Sequence, residues 1–279
     1  MFSLSAFADE ISPDPQQQID VLKSCGIRYI EFRSILSTNV LALSDLQIRE
    51  FKSLLDANGF RLSAIGSPIG KIRIDDPFEP HLAKLKRAIE LAKLFETPNI
   101  RVFSYYPPID SGDWPKWRDE VLLRMNKACE LAQANGLRLL HENEHRIYGD
   151  SIDRVLDLAH TVGRVYFPQA FGLVYDAANY VFCGYKPLDA WHRTKKWTVH
   201  LHIKDWIPGD EKGSIPGEGQ GHLPEVIADA VQMGYDGFAT MEPHLLGGGP
   251  TGGVTGPELF PKSVAAFKRI LEKAGAEYQ

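Results

Sequence analysis

The stretch LRLLHENEHR, residues 137–146, decides how this chain is read. It opens as a short apolar run of the kind that forms a buried strand. Such strands normally end in Gly, Pro, Asn or Ser turns. This one passes without a spacer into His141, Glu142, Asn143, Glu144, His145 and Arg146. Either these side chains form a solvated loop, or the strand delivers ionisable groups to a site. The answer depends on where the strand end lies in the fold.

The surrounding pattern supplies that location. Seven further runs resemble the first: SLSAFAD (3–9), RYIEFR (28–33), RLSAIGS (61–67), IRVFSY (100–105), GLVYDA (172–177), WTVHLHIK (197–204) and GFATME (237–242). Helix-like segments alternate with them at 15–25, 44–59, 78–95, 117–136, 151–163, 187–196, 223–234 and 256–275. Ser44 is the expected N-cap of the second, and Leu46, Ile48, Phe51, Leu54 and Leu55 recur near helical spacing. Gly26, Gly59, Gly136 and Gly234 each stand between a helix and the next strand, as left-handed helix stops. Alternating strands and helices imply parallel strands joined by crossovers. A doubly wound open sheet and a closed barrel both fit that pattern. Neither a G-x-G-x-x-G nor a phosphate-binding P-loop supports the open sheet. The count of eight favours a (β/α)8 TIM barrel, and no break in composition marks a second domain within residues 1–279.

The totals agree. The chain has 279 residues, room for one barrel of about 250. It is 44% hydrophobic and 24% charged, an ordinary globular composition. A net charge of −5 argues against nucleic acid and suits a small-molecule substrate. Cys25, Cys129 and Cys183 form no disulfide framework. No signal-peptide pattern opens the chain, and no apolar stretch approaches the roughly 20 residues that span a bilayer. The expectation is a cytoplasmic protein without membrane contact, in which homo-oligomers are common.

In a barrel of this kind the site lies at the C-terminal ends of the strands. Strand five ends in Glu142, strand six in Asp176, strand seven in His202 and strand eight in Glu242. Taken singly, each has a structural reading: a surface acid, a turn cap, a core histidine, a loop residue. Their coincidence on four consecutive strands points to one site, because inward side chains at the top layer meet one another. Three converging carboxylates would repel unless a cation sat between them. Three oxygen donors and an imidazole suit one divalent ion: Mn²⁺, Mg²⁺, Co²⁺ or Zn²⁺. Arg33, Ser67 and Lys71, at or just past the ends of strands two and three, are placed to bind substrate hydroxyls or a phosphate. Glu144 follows Glu142 toward the same space, whereas His141 and Asn143 have the opposite parity. His200 would lie one layer below His202. The glycine-rich stretches 205–222 and 244–258 follow strands seven and eight. They read as mobile loops, as a lid, or as a cradle of backbone N–H groups for an anionic substrate group.

The motifs SAIGSPIGK (63–71), LLHENE (139–144), VYDAANY (174–180), HLHIKDW (200–206), PGEGQG (216–221) and TMEPH (240–244) together resemble the xylose-isomerase-like superfamily of TIM barrels, over nearly the whole chain. The resemblance implies a metal held by Glu142, Asp176, His202 and Glu242. It also implies that Glu142 and Glu242 act as acid and base on opposite faces of the substrate. Family members carry a basic residue or a His a few positions past the aspartate and the histidine. Asn179 and Lys204 occupy those places here, and Asn179 departs from the His of many epimerases and of the endonucleases. The implied activity is isomerisation or epimerisation of a sugar, sugar phosphate or keto-polyol through a metal-stabilised enediolate, with a carbohydrate as partner. Three alternatives stay open. A dehydratase of a sugar acid or cyclitol starts with the same proton abstraction. A sugar-binding barrel would lack turnover. An apurinic-endonuclease-like phosphodiesterase is disfavoured by Ser67, Ser104 and Asn179, which stand where histidine ligands would be expected.

Overall fold

In a computed structural model, which describes residues 1–108, 114–248 and 252–279, the strand ends do face one opening. Eight parallel strands close on themselves. They are β1 (Ser3–Ala6), β2 (Tyr29–Phe32), β3 (Arg61–Ile65), β4 (Asn99–Val102), β5 (Arg138–Glu142), β6 (Phe171–Asp176), β7 (Thr198–Ile203) and β8 (Phe238–Met241). Pairing of Ser3–Ala6 with Phe238–Met241 shuts the barrel and rules out the open sheet. The fold is the (β/α)8 TIM barrel expected from the strand count.

The helices form from ordinary local signals. Helix α1 (Pro15–Ser24) starts with Asp14 as cap and Pro15 in the first turn. Helix α2 (Asp45–Ala57) carries a complete capping box between Ser44 and Gln47. Then come α3 (Phe78–Leu94), α4 (Trp114–Ala134) and α5 (Ile152–Leu158), the last running on as a π-helical turn over Ala159–Tyr166. Helices α6 (Ala177–Phe182), α7 (Pro187–Thr194), α8 (Leu223–Gln232) and α9 (Phe260–Lys273) complete the shell. The four glycine stops have φ between +70° and +76°. Two elements have no counterpart in the sequence reading. Helix α6 is nucleated by the Asp176 side chain, and a small hairpin pairs Ser34–Ile35 with Thr38–Asn39.

The main apolar core lies between strands and helices. Inside the barrel a small separate cluster of Ala64, Leu140 and Val174 packs against Val199, so Leu140 points inward as its parity requires. Much of the rest of the interior is polar. Ser5 and Ser63 hydroxyls meet at 2.6 Å, and His200 Nε2 meets Thr240 Oγ1 at 2.7 Å. The β2–β3 register slips between Ile30 and Glu31, a bulge of the kind that re-aims a side chain. Among the described residues no helix is long and apolar enough to cross a membrane.

Candidate active site

Glu142 and Asp176 are the last residues of β5 and β6, His202 is next to last in β7, and Glu242 follows β8 directly. All four are buried, and each offers a ligand atom within 4.8 Å of the others. The register places Asp176 beside His202. His202 Nδ1 is 3.3 Å from Glu142 Oε1 and 3.4 Å from Glu242 Oε2. Asp176 does two jobs. Its Oδ1 accepts the Asn179 N–H at 2.9 Å and so caps α6. Its Oδ2 faces the cluster, 2.7 Å from Lys204 Nζ.

Glu31 supports this cluster from below. Its Oε2 lies 3.0 Å from His200 Nε2 and 3.2 Å from His202 Nε2. A carboxylate on one imidazole nitrogen fixes the proton there and leaves the other nitrogen's lone pair for an ion. Burial pushes the Glu31 carboxyl up, but His202 and His200 outweigh it and hold the group well below the usual carboxylate range. Burial pushes His202 down. Glu142 and Glu31 outweigh that and raise it well above an ordinary histidine, so in the protein alone a proton supplies positive charge at this spot.

Each carboxylate also has a basic partner. Arg101 Nη1 is 3.2 Å from Glu142 Oε2, and Arg33 Nη1 is 2.8 Å from Glu242 Oε1. Lys204 serves Asp176 and, at 3.4 Å, Glu242. Carboxylate repulsion alone therefore does not require a metal, which corrects that part of the sequence argument. The donor chemistry is what fits an ion: Asp176 Oδ2 and His202 Nδ1 are buried, make no hydrogen bond of good geometry beyond the charged groups of the cluster, and both face that cluster. Burial raises Glu142, but His202 and Arg101 outweigh it and bring the carboxyl down to about 2. Burial lifts Asp176 to about 6, with Lys204 offsetting only part.

Arg33, Lys71, Glu144, Asn179 and Lys204 line one cavity of about 1100 Å³ together with Glu142 and Glu242. Arg33 also pairs with Asp9 at 2.8 Å. Asn179 Nδ2 donates to Glu142 Oε1 at 3.2 Å and to the Asn143 carbonyl at 2.8 Å. Ser67 is not brought in: it is fully buried, its hydroxyl donates to the Arg101 carbonyl, and it holds the turn after β3. His141 and Asn143 tie the strand end to its surroundings as their parity implies. His141 meets Ser104 at 2.9 Å, and the Asn143 amide brackets the backbone N–H and carbonyl of Asp176 at 3.0 Å each. His200 stops at Glu31 and Thr240. His244 joins the cavity wall, 3.3 Å from Glu242 Oε1 and 3.2 Å from Glu10 Oε1. Sequence reasoning missed Glu31, Arg101 and Glu10. The first two carry a signal: a charge in the middle of an apolar strand, in RYIEFR and NIRV.

The family model described as xylose isomerase-like TIM barrel matches residues 19–276. The chain belongs to that family. Among curated proteins, the fructoselysine 3-epimerase of Shigella flexneri is 29% identical over 119 residues, 42% of each chain. The chain thus matches less than half the length of this relative. Among solved structures, a D-tagatose 3-epimerase-like protein superposes with a TM-score of 0.79 at 16% identity, covering 98% of both chains. A xylose isomerase-like TIM barrel protein from Mycobacterium smegmatis, in complex with magnesium, gives 0.73 at 19% identity, covering 99% of this chain and 97% of that one.

In this xylose isomerase-like barrel the loop after β7 is a cradle, but its anion is internal. The Asp205 carboxylate accepts the N–H groups of Trp206 and Gly221 on one oxygen and of Gly217 and Gly219 on the other, at 2.8–3.0 Å. A Cβ on Gly219 or Gly221 would overlap that carboxylate. The glycine N–H groups of PGEGQG are therefore spent on Asp205, and those of Glu218 and Gln220 on the Ile215 and Trp206 carbonyls, which corrects the reading that they receive a substrate anion. Of the second glycine-rich stretch, residues 249–251 lie outside the described residues. Its flanks are pinned to Glu10, whose carboxylate accepts the His244 N–H and the Thr255 hydroxyl and whose carbonyl accepts the N–H of Gly256. Gly252 and Gly253 lie flat against Arg33 and His244, where any Cβ would collide.

Proposed function

We propose that this barrel is a divalent-metal-dependent isomerase or epimerase of a sugar or related keto-polyol. One observation carries the reading: two buried glutamates, Glu142 and Glu242, stand 3.3 and 3.4 Å from His202 Nδ1 and both open onto the same cavity. Glu142, Asp176, His202 and Glu242 would hold the ion. When bound, a divalent ion polarises carbonyl and hydroxyl oxygens and offsets the negative charge that develops on them.

The chain's own residues do the rest. In one direction Glu142 accepts the proton from the carbon next to the carbonyl, and the electron pair moves toward the carbonyl oxygen. Burial pushes the Glu242 carboxyl up, but Lys204, His202 and His244 outweigh it and hold it well below the usual carboxylate range. Glu242 would therefore take a proton from solvent in the loaded site and return it to the opposite face. The roles exchange in reverse. Asn179 donates to Glu142 and fixes its orientation, and Arg33 and Lys204 do so for Glu242. Lys71 and Glu144 line the substrate space. The curated relative, an epimerase, accords with this chemistry.

The test is proton exchange. The protein, treated with chelator and reloaded with Mn²⁺, Mg²⁺, Co²⁺ or Zn²⁺, is incubated with keto-sugars, inososes and sugar phosphates in D₂O. Deuterium next to the carbonyl of one of them is the expected result. No exchange across the panel would favour a sugar-binding barrel, and loss of water from the product would favour a dehydratase. Glu142→Gln and Glu242→Gln are each expected to abolish exchange while circular dichroism stays unchanged. Full exchange in either variant sinks the acid/base assignment.

A further inference from the structure

The cavity wall is basic although the chain is acidic. Seven lysines and arginines line it against four carboxylates among the described residues. Three of the cations are taken up around Glu142, Asp176 and Glu242. The others lie further out, and exposure marks the depth. The Glu142 side chain is 2% exposed and that of Glu144 22%, while Arg146 is exposed.

The outer wall is built. After β3 the chain runs beside the segment that follows β4. Phe103 N–H bonds the Ile69 carbonyl, Tyr105 N–H that of Gly70, Tyr106 N–H that of Ile72, and Ile74 N–H that of Tyr106. Gly70 has φ +93°, and a Cβ there would overlap the Phe103 carbonyl. Lys71 and Arg73, on this segment, both reach the cavity, as does Tyr106. Lys71 Nζ sits 4.2 Å from the Phe103 ring centre and 2.9 Å from Glu144. Arg73 meets Asp75 and Asp76, neither of which lines the cavity, and Arg154 meets Asp150, which does.

Arg146 is different. It holds a left-handed backbone, φ +66°, a conformation that costs a non-glycine residue on the order of 1 kcal/mol or more. Among the described residues its guanidinium makes no ion pair or hydrogen bond, yet it lines the cavity. Lys71, Glu144, Arg146 and Tyr106 line the same cavity, and the Lys71–Glu144 pair ties two of them together there.

We propose that Lys71, Arg73, Arg146 and Tyr106 form a subsite for a compact oxyanion, a carboxylate or a phosphate monoester, at the end of the substrate away from Glu142 and Glu242. This rests on the cavity being the substrate site. A guanidinium and an ammonium converging on one volume match such a group through charge-assisted hydrogen bonds. The Lys71–Glu144 pair opens to admit it, and Glu144 then turns to the substrate hydroxyls.

Calorimetric titration of the full chain tests the subsite with D-fructose, D-fructose 6-phosphate and D-fructuronate at one ionic strength. At least one anionic sugar is expected to bind roughly tenfold or more tighter than D-fructose. A phosphate-only preference assigns a phosphate subsite, and a preference for fructuronate assigns a carboxylate. In Arg146→Gln and Lys71→Gln the ratio of anionic to neutral affinity should fall toward one. Lys86→Gln, on the exposed face of α3, should keep the parental ratio. Equal affinity for D-fructose and both anions overturns the subsite, and so does a parental ratio in both cavity variants. The two readings fail separately. Charge-selective binding without deuterium exchange removes the epimerase reading alone. Exchange on D-fructose without any charge preference removes the subsite alone.

Discussion

His202 has one nitrogen turned to Glu31 and the other to Glu142 and Glu242, so its role as a ligand depends on a residue that touches no substrate. Glu31→Gln keeps the shape and removes the charge that anchors the Nε2 proton. Divalent-ion affinity is expected to fall roughly ten- to hundredfold, read by competition with a chromogenic chelator, while the near-ultraviolet dichroism stays the same. An unchanged affinity would refute the support role. The four clustered residues were legible because each stands where an apolar run stops, and the strand period gives them one direction. Asp176 shows why single-residue readings mislead: cap and candidate ligand are the same carboxylate, one oxygen for each. Glu31 and Arg101 were legible only as charges in mid-strand, not as parts of the site. A charge in mid-strand makes sense only once the histidines and glutamate facing it across the barrel are known, and no spacing along the chain encodes that.

Among elements, the loop after β7 depends on one side chain. Asp205→Ala removes the acceptor for four backbone N–H groups, and hydrogen bonds to charged groups contribute about 1.5–3 kcal/mol each. The expected result is a lower melting temperature and rapid proteolytic cleavage within 206–221. Resistance equal to the parent would mean the loop is held elsewhere. A second link joins α4 to α5. Asp157 accepts from Arg118 at 2.6 and 2.8 Å and from the Tyr148 hydroxyl at 2.5 Å. Burial pushes its carboxyl up, but these bonds outweigh it and hold the group below the ordinary carboxylate value. Such a group adds stability above its unfolded pKa of about 3.9 and loses it as pH falls through the lower folded value. Asp157→Asn should therefore destabilise the protein at neutral pH, with the difference closing below about pH 4. A gap independent of pH would assign the effect to shape. Helix positions followed from caps and glycine stops. Helix α6 did not, because its nucleus is a side chain read as a ligand.

The barrel as a whole was legible from a count of eight strands, which favours closure, and the β1–β8 pairing closes it. Closure also gives an ion leverage over the entire fold, since its four candidate ligands come from β5 through β8. Binding to the folded state alone at a hundredfold excess over Kd stabilises by about 2.7 kcal/mol. After chelator treatment, adding Mg²⁺ or Mn²⁺ should raise the melting temperature by several degrees, and Asp176→Asn should abolish the rise. No rise with any of the four metals would remove the ion from the proposal. The chain-wide pattern of mutational tolerance has an unexpected shape too. Gly219 and Gly221 face the Asp205 carboxylate with no space for a methyl group. A saturation screen scored by activity would rank them beside Glu142 and Glu242, and an inspection of intolerant positions would mistake them for reaction chemistry. Scored by cellular abundance, the two sets part: the glycine variants are cleared as unfolded chains, whereas Glu142→Gln and Glu242→Gln accumulate as intact, inert barrels.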